Sequence, residues 1–353
     1  MALPMCLFVH HAALKLLSLE SVIYMNAGLD IGGANIKIWR EDGKSLLYFF
    51  PVWKHPEKLA DCLDKLLKKM KVSGPIAITM TAEICDCFPD KKSGVISVLE
   101  SIPKKFHKSS MIFTNHGKFV SLQEAKKNPL PCAASNWLAM ATYVGKKHPK
   151  EIGFLLDMGS TTTDIIPVVA GKPESLGYTD RDRLKNHELV YTGMRRSPLS
   201  SLLGRQFAQE WFASTSDAHL ILGNLVENRN CKETADGKPF TVINSERRIA
   251  RMICEDMEAL SKAEIKNLAF KAVEEQTSWI LNAVQNQIAI RNISPKWFYL
   301  CGEGEVFLKT ILRKFYGSKT FFSFSSEHNV QISECSCAFS VGQLAKEKSW
   351  KLM

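Results

Sequence analysis

The chain has no long uninterrupted hydrophobic run. Its most apolar stretch, residues 1–24, is broken by His10, His11 and Lys15, opens without a basic cluster and has no convincing small-residue cleavage pattern. Neither a membrane span nor a secretory leader is therefore expected, and residues 1–24 read as a non-structural N-terminal extension to a unit that starts near Met25. Cysteine is plentiful at 10 residues, but the spacing that would make it a metal site is missing. The pairs Cys85/Cys87 and Cys335/Cys337 are Cys-x-Cys without a nearby His partner, so zinc is not expected, and Cys301 in Tyr299-Leu300-Cys301 reads as a small hydrophobe. Thiols in this setting fit a reducing, cytoplasmic compartment. Aromatics make up only 9% of the chain. The lysine clusters, such as Lys68-Lys69 and Lys126-Lys127, have none interleaved, so the net charge of +10 points to no nucleic-acid partner and no membrane partner. Scattered positive charge suits a solvated surface and the attraction of an anionic, phosphorylated small molecule.

What is present is a polar motif that occurs twice. Leu155-Leu156-Asp157-Met158-Gly159-Ser160-Thr161-Thr162-Thr163-Asp164 carries an apolar run into Asp-x-Gly, four hydroxyl residues and a second Asp, and a fresh β-type run follows over 165–169. Ala27-Gly28-Leu29-Asp30-Ile31-Gly32-Gly33-Ala34-Asn35-Ile36-Lys37 repeats the layout near the start. Each copy predicts a β-hairpin with a polar tip. With 353 residues, 45% hydrophobic and 23% charged, the chain has room for two domains that each bury a core, and boundaries of 25–150 and 151–353 give each domain one tip.

Between the tips the pattern alternates strands and helices, which predicts an α/β fold. The Glu41-Asp42-Gly43-Lys44 turn leads to a buried-type strand over 46–50, and Pro56 opens a helix burying Leu59, Leu63, Leu66, Leu67 and Met70. The strand at 76–80 runs into Thr81-Ala82-Glu83, where Glu83 is either a ligand contact beyond the strand end or a cap of the next helix. Short strands at 111–114 and 118–120 and a closely packed small-residue helix over 133–141 complete the first half. Residues 171–239 have little periodicity, and a substrate-side insertion is expected at about 171–245. Helices over 246–261 and 263–290 follow, then a strand at 297–301 that breaks at Gly302-Glu303-Gly304. A last helix, 337–346, closes the second domain.

Phosphate is bound by backbone N–H groups and hydroxyls in a concave nest, for which Gly32, Gly33 and Gly159 allow the dihedrals. Ala34 and Asn35 complete the first loop, and Ser160, Thr161, Thr162 and Thr163 add donors to the second. Asp30, Asp157 and Asp164 suit phosphate only with Mg²⁺ between, so they read as metal carboxylates, with Lys37 as a further counter-charge. The alternative is a pair of ordinary turns with Asp as turn former. Gly302, Glu303 and Gly304 form a third phosphate-side turn. In the insertion, Asp180, Arg183, Arg195 and Arg196 are candidate substrate contacts because guanidinium forks fit phosphate or carboxylate, although surface ion pairs use the same residues.

These tips and the late glycine turn resemble the actin, sugar kinase and Hsp70 superfamily, which implies two related ribonuclease H-like domains facing a central cleft. Asp30-Ile31-Gly32-Gly33-Ala34-Asn35, Ala133-Ala134-Ser135-Asn136-Trp137, residues 157–167 and 188–198, and Thr234-Ala235-Asp236-Gly237 together resemble the hydantoinase A and oxoprolinase-related family linked to tetrahydromethanopterin C1 transfer. The resemblance adds Asn136, Tyr191 and Thr192 as substrate contacts. His187, Ser197 and Ile36 depart from it at positions expected near the pocket, without removing a carboxylate or loop glycine. It implies a transferase that condenses a furfuryl-type (aminomethylfuran methyl) diphosphate with a tyramine-derived phenol, releasing diphosphate, in biosynthesis of a methanofuran-type C1 carrier. Asp164 and Asp30 would then be catalytic, Asp164 as acceptor of the phenol proton, and Mg²⁺ the cofactor. ATP is not required by this reading. It belongs to the alternatives, a kinase or hydantoinase-like amidohydrolase, or a non-enzymatic nucleotide-binding module. Homo-oligomerisation is left open.

Overall fold

The computed structural model describes residues 25–351, so the expectation for residues 1–24 lies outside the described residues. The fold is built on two sheets of matching plan. The first contains β1 (Ala27–Ile31), β2 (Asn35–Arg40), β3 (Ser45–Phe49), β4 (Ile76–Met80), β5 (Ser110–Phe113) and β6 (Phe119–Ser121), in the order β3-β2-β1-β4-β5-β6. The second contains β7 (Gly153–Met158), β8 (Thr163–Val169), β9 (Lys172–Pro173), β10 (Leu189–Val190), β11 (Trp297–Cys301) and β12 (Thr320–Ser323), in the order β10-β8-β7-β11-β12 with β9 also on β8. In each sheet a hairpin supplies the central strand, β1 or β7, which then pairs in parallel with β4 or β11. β1, β4 and β11 are buried at every position, as continuous apolar runs with parallel partners should be. The repeat visible in the tips is thus a repeat of whole sheets.

Several sequence expectations change at this level. The strand at 46–50 was expected to be buried, but β3 is a sheet edge, and Leu47, Tyr48 and Phe49 are exposed there. The helix expected over 246–261 stops early: Val242–Arg251 is followed by Cys254 at φ 59 and a short turn at Met257–Ala259. Ser261 then caps the next helix, Lys262–Arg291, its backbone N–H donating to Glu264 (2.8 Å) while its hydroxyl accepts from the Glu264 amide (3.3 Å). Residues 171–245 contain the short helices Asp180–Lys185, Leu199–Leu203 and Thr215–Ile221. Buried Arg248 ties this region together, donating to Asp217 (2.8 Å) and to Asp236 of the Thr234–Gly237 motif (2.9 Å).

The largest change concerns the last helix, Ser336–Glu347. Rather than closing the second domain, it lies on β1, β2 and β4 of the first sheet. The helix Asn136–Lys147 packs against it and also reaches β7, β8 and β9 of the second sheet. The crossing is a backbone contact: the Ala338 carbonyl and the Gly342 amide occupy the place where a side chain on Gly28 would begin. Among the described residues no helix is long and apolar enough to cross a membrane.

Candidate functional site

The two hairpin tips close with the same bond, Gly32 N–H to the Asn35 carbonyl (2.9 Å) and Gly159 N–H to the Thr162 carbonyl (3.0 Å). Register places Asp30 opposite Lys37 and Asp157 opposite Asp164, so each hairpin presents a facing pair of ionisable side chains. The four meet across the cleft and perturb one another. Lys37 Nζ lies 3.5 Å from Asp30 Oδ2, and the Thr79 hydroxyl donates to Asp30 Oδ1 (3.3 Å). Burial raises the Asp30 pKa against the lowering effect of Lys37 and Thr79, and Asp164 adds to the rise. Burial is the largest single influence and opposes the charge on Lys37, but Asp30, Cys337, Asp157 and Cys335 together outweigh it and hold the ammonium pKa above its ordinary value. Asp164 Oδ1 accepts from Arg183 (2.6 Å). Asp157 has no such cation of its own; burial and then repulsion from Asp164 push its carboxyl up to about 6.

The amides of Gly33 and Ala34 in the first tip, and of Ser160, Thr161 and Thr162 in the second, donate to no backbone carbonyl. These are the free donors that a phosphate nest requires. The second tip is stiffened by residues 192–196: the amides of Met194 and Arg195 donate to the carbonyls of Gly159 (3.0 Å) and Ser160 (2.9 Å). Arg195 Nε donates to Glu303 (2.6 Å), and Arg196 lies over the Trp53 ring of the first unit at 4.8 Å. Gly302, at φ 83, meets Asp157 and Met158 where a Cβ would be, and Gly304 meets the Met158 side chain. Both glycines therefore serve the close packing of this turn on the second tip.

Not every candidate residue faces this cleft. Thr163 is buried with its hydroxyl donating to the Thr192 carbonyl (2.8 Å), so it fastens the loop rather than offering a donor to phosphate. Thr192 is also fully buried; its hydroxyl accepts from Gln276 (2.8 Å) and from Ser197 (3.0 Å). It is structural, and Thr192→Val should cost about 1–3 kcal/mol by stranding two buried donors. Thermal unfolding would read that loss, while an altered KM would return Thr192 to the pocket. Tyr191 points outward, 59% exposed. Glu303 is held by Arg195. Asn136 reaches the second tip indirectly, its amide donating to Cys337 Sγ (3.8 Å), which in turn donates to Asp157 Oδ2 (3.8 Å). Ser197 keeps a hydroxyl network and Ile36 is core, so neither departure lies on the pocket wall. His187 stands at φ 58, which explains why glycine is expected there.

The three carboxylates do not form a closed metal shell. Among the described residues no three His, Cys, Asp or Glu side chains gather closely enough to hold one ion. Lys37 and Arg183 already neutralise Asp30 and Asp164, which leaves Asp157 as the carboxylate free for a cation. A free carboxylate is a donor Mg²⁺ accepts, and Asp157 would be the residue to hold it. Sequence reasoning missed Thr79, Cys337, Ser135 and Trp137. The first two support Asp30 and Asp157, Trp137 carries the Arg183 guanidinium on its face at 4.1 Å, and the Ser135 hydroxyl is buried without a partner. Only the Ala133–Trp137 motif signalled any of them.

The hydantoinase/oxoprolinase family model matches residues 76–326. A protein of Methanocaldococcus jannaschii, named (4-{4-[2-(gamma-L-glutamylamino)ethyl]phenoxymethyl}furan-2-yl)methanamine synthase, is 32% identical over 335 residues, covering 92% of this chain and 98% of its own length. A protein of the same name from Methanococcus vannielii is 35% identical over 207 residues, 55% of this chain and 90% of its own. Among solved structures, nucleotide-free acetone carboxylase aligns with a TM-score of 0.51 at 10% identity, over 90% of this chain and 70% of that one, a likeness of fold alone. The two sheets share one plan, a hairpin whose first strand pairs in parallel with a later strand, as the reading of two related α/β units expects.

Proposed function

The chain belongs to the hydantoinase/oxoprolinase family, and from that premise we propose that it is a transferase that condenses an aminomethylfuran methyl diphosphate with a tyramine-derived phenol, releasing diphosphate. The product is the furan ether of a methanofuran-type C1 carrier. One observation carries the choice of reaction: a relative matched along 98% of its length is named for making a phenoxymethylfuran methanamine. The geometry supports it, because two tips with free amides suit a diphosphate better than a neutral leaving group.

In this reaction the furfuryl C–O bond to diphosphate breaks and the phenol oxygen forms the new C–O bond. Amides of Gly33, Ala34 and residues 160–162 hold the departing diphosphate, and Lys37 balances its charge. Asp157 would hold Mg²⁺, which when bound neutralises charge on the leaving group. As diphosphate departs, the furfuryl carbon becomes strongly electrophilic, so a weak base suffices for the phenol proton. Asp164 fits that role: Arg183 binds Oδ1 and keeps it oriented, while Oδ2 is left to accept. Arg195 and Arg196, whose amides donate to the Ser160 carbonyl, stand beside the second tip, one paired with Glu303 and the other over Trp53.

The test is to incubate the protein and Mg²⁺ with a furfuryl diphosphate and tyramine, without ATP. Equal amounts of diphosphate and ether are expected. ATP-dependent product formation with release of ADP would overturn the proposal in favour of a kinase or amidohydrolase.

A further inference from the structure

Four cationic side chains stand beside the two tips, and three of them are cancelled within the fold. Lys37 lies 3.5 Å from Asp30, Arg183 donates to Asp164 (2.6 Å), and Arg195 donates to Glu303 (2.6 Å). Arg196 is the fourth. Its side chain is exposed and, among the described residues, pairs with no carboxylate and donates to no oxygen; its guanidinium lies over the Trp53 ring at 4.8 Å. An exposed arginine is ordinarily just a solvated one, but the placement of this residue is specific.

Its two ends touch different halves of the chain. The amides of Arg195 and Arg196 both donate to the Ser160 carbonyl (2.9 and 3.0 Å), which fixes the backbone to the second tip. Trp53 belongs to the segment that braces the first tip, where the Phe50 amide donates to the Ala34 carbonyl and the Val52 amide to the Gly33 carbonyl (both 2.9 Å). Lys54 makes a second crossing, 3.7 Å from Glu233 of the insertion. Residues 52–54 are thus a place where the two halves meet, and Arg196 spans it.

A single phosphate can rest on one tip and be served by that tip's amides. A diphosphate that reaches both tips brings a second anionic group, and the cation placed to answer it is the unpaired one that touches both halves. Resting on the proposed reaction, we infer that Arg196 selects diphosphate over monophosphate, its guanidinium donating to the group held across the two tips while Trp53 keeps the fork in place. A planar fork stacked on an indole loses little freedom on binding and leaves its N–H edge open to oxyanions, which an ammonium in its place would not reproduce.

The test is equilibrium binding, with inorganic diphosphate and inorganic phosphate titrated calorimetrically in the presence of Mg²⁺. Arg196→Ala should weaken diphosphate binding about 30-fold and phosphate binding less than about threefold. Arg196→Lys should recover only part of the loss, because it restores the charge without the fork. Trp53→Ala should weaken diphosphate binding about threefold in the native background and not at all once Arg196 is alanine; an effect through folding alone would persist in both backgrounds. Unfolding temperatures of the Arg196 variants should match the native one, since the side chain has no acceptor in the fold to lose. Unchanged diphosphate affinity in Arg196→Ala overturns the inference and leaves the transferase reading intact. Equal losses for diphosphate and phosphate, or a native protein that binds the two alike, overturn it as well. If the variant binds diphosphate normally but has a raised KM for a carboxylate-bearing phenol acceptor, the guanidinium reads the acceptor and the inference fails. Diphosphate binding that depends on Arg196 as expected, without ether formed from a furfuryl diphosphate, supports the clamp and removes the reaction assignment.

Discussion

In protein stripped of divalent cations, Asp157→Asn should unfold at a higher temperature than the native chain at pH 7, and the same variant should lose about 10³-fold in ether formation. The two effects have one cause. Asp157 is a carboxylate of the cleft without a cation of its own, and burial with Asp164 opposite holds its pKa near 6 against an ordinary 3.8. Between those two values the folded protein keeps a proton that the unfolded chain has released, so stability falls as pH rises across the interval. Above about pH 6 the penalty is complete, and Asn avoids it. The gain should be about 1–3 kcal/mol at pH 7, or ~2–5 °C in unfolding temperature, and should vanish below about pH 4. Calorimetric scans of both proteins from pH 4 to 8 check the sign. A native protein that is more stable than the variant at pH 7 would mean that Asp157 already has a cationic partner in the fold. On the proposed reaction the residue has a reason to be there: a buried carboxylate facing Asp164 is unfavourable by itself, and the Mg²⁺ it would hold would relieve that cost.

Gly28→Val should abolish folding at 37 °C, or cost more than about 3 kcal/mol if folding survives. Gly28 is the second residue of β1, inside a strand that glycine normally weakens. Here the helix Ser336–Glu347 crosses so closely that its Ala338 carbonyl fills the space a Cβ needs, and Gly342 in turn lies against the Trp39 ring. Backbone on both sides cannot yield as a flexible side chain would, so the helix must lift off the first sheet. With it would go Cys337, whose thiol donates to Asp157. Soluble yield and thermal unfolding measure the first effect, and residual turnover in any folded fraction measures the second. A native unfolding temperature in Gly28→Val would show that the helix docks without this contact.

Much of the architecture is legible in local pattern. Each hairpin is written as an apolar run, a glycine-containing tip and a second run, and strand register follows from hairpin closure alone. That is why the facing pairs Asp30/Lys37 and Asp157/Asp164 can be anticipated before any tertiary contact is known. The helix at Leu59–Lys69 is equally plain, since Leu59, Leu63, Leu66 and Leu67 recur at helical spacing. Exposure of β3 is not legible, because hydrophobicity says what a strand prefers to bury and not whether it lies at a sheet edge. The roles of hydroxyls were also hidden. Thr162 and Thr163 are neighbours in one run, yet alternation along the chain leaves the first at the open tip and turns the second into a buried bond with Thr192.

The amino-acid sequence by itself determined the two-fold α/β plan, the two polar tips, and the three carboxylates with one lysine at their roots. Short-range periodicity and turn chemistry are sufficient for these, because each is settled within a dozen residues. Only the tertiary structure decided how the charges pair. Arg183 comes 19 positions after Asp164 to neutralise it, its guanidinium rests on the face of Trp137 from the first half of the chain, and the Ser336–Glu347 helix returns to the sheet that opened the chain. Such partners are chosen by packing between distant segments, where burial makes every unpaired charge costly and no local pattern records which charge will answer it.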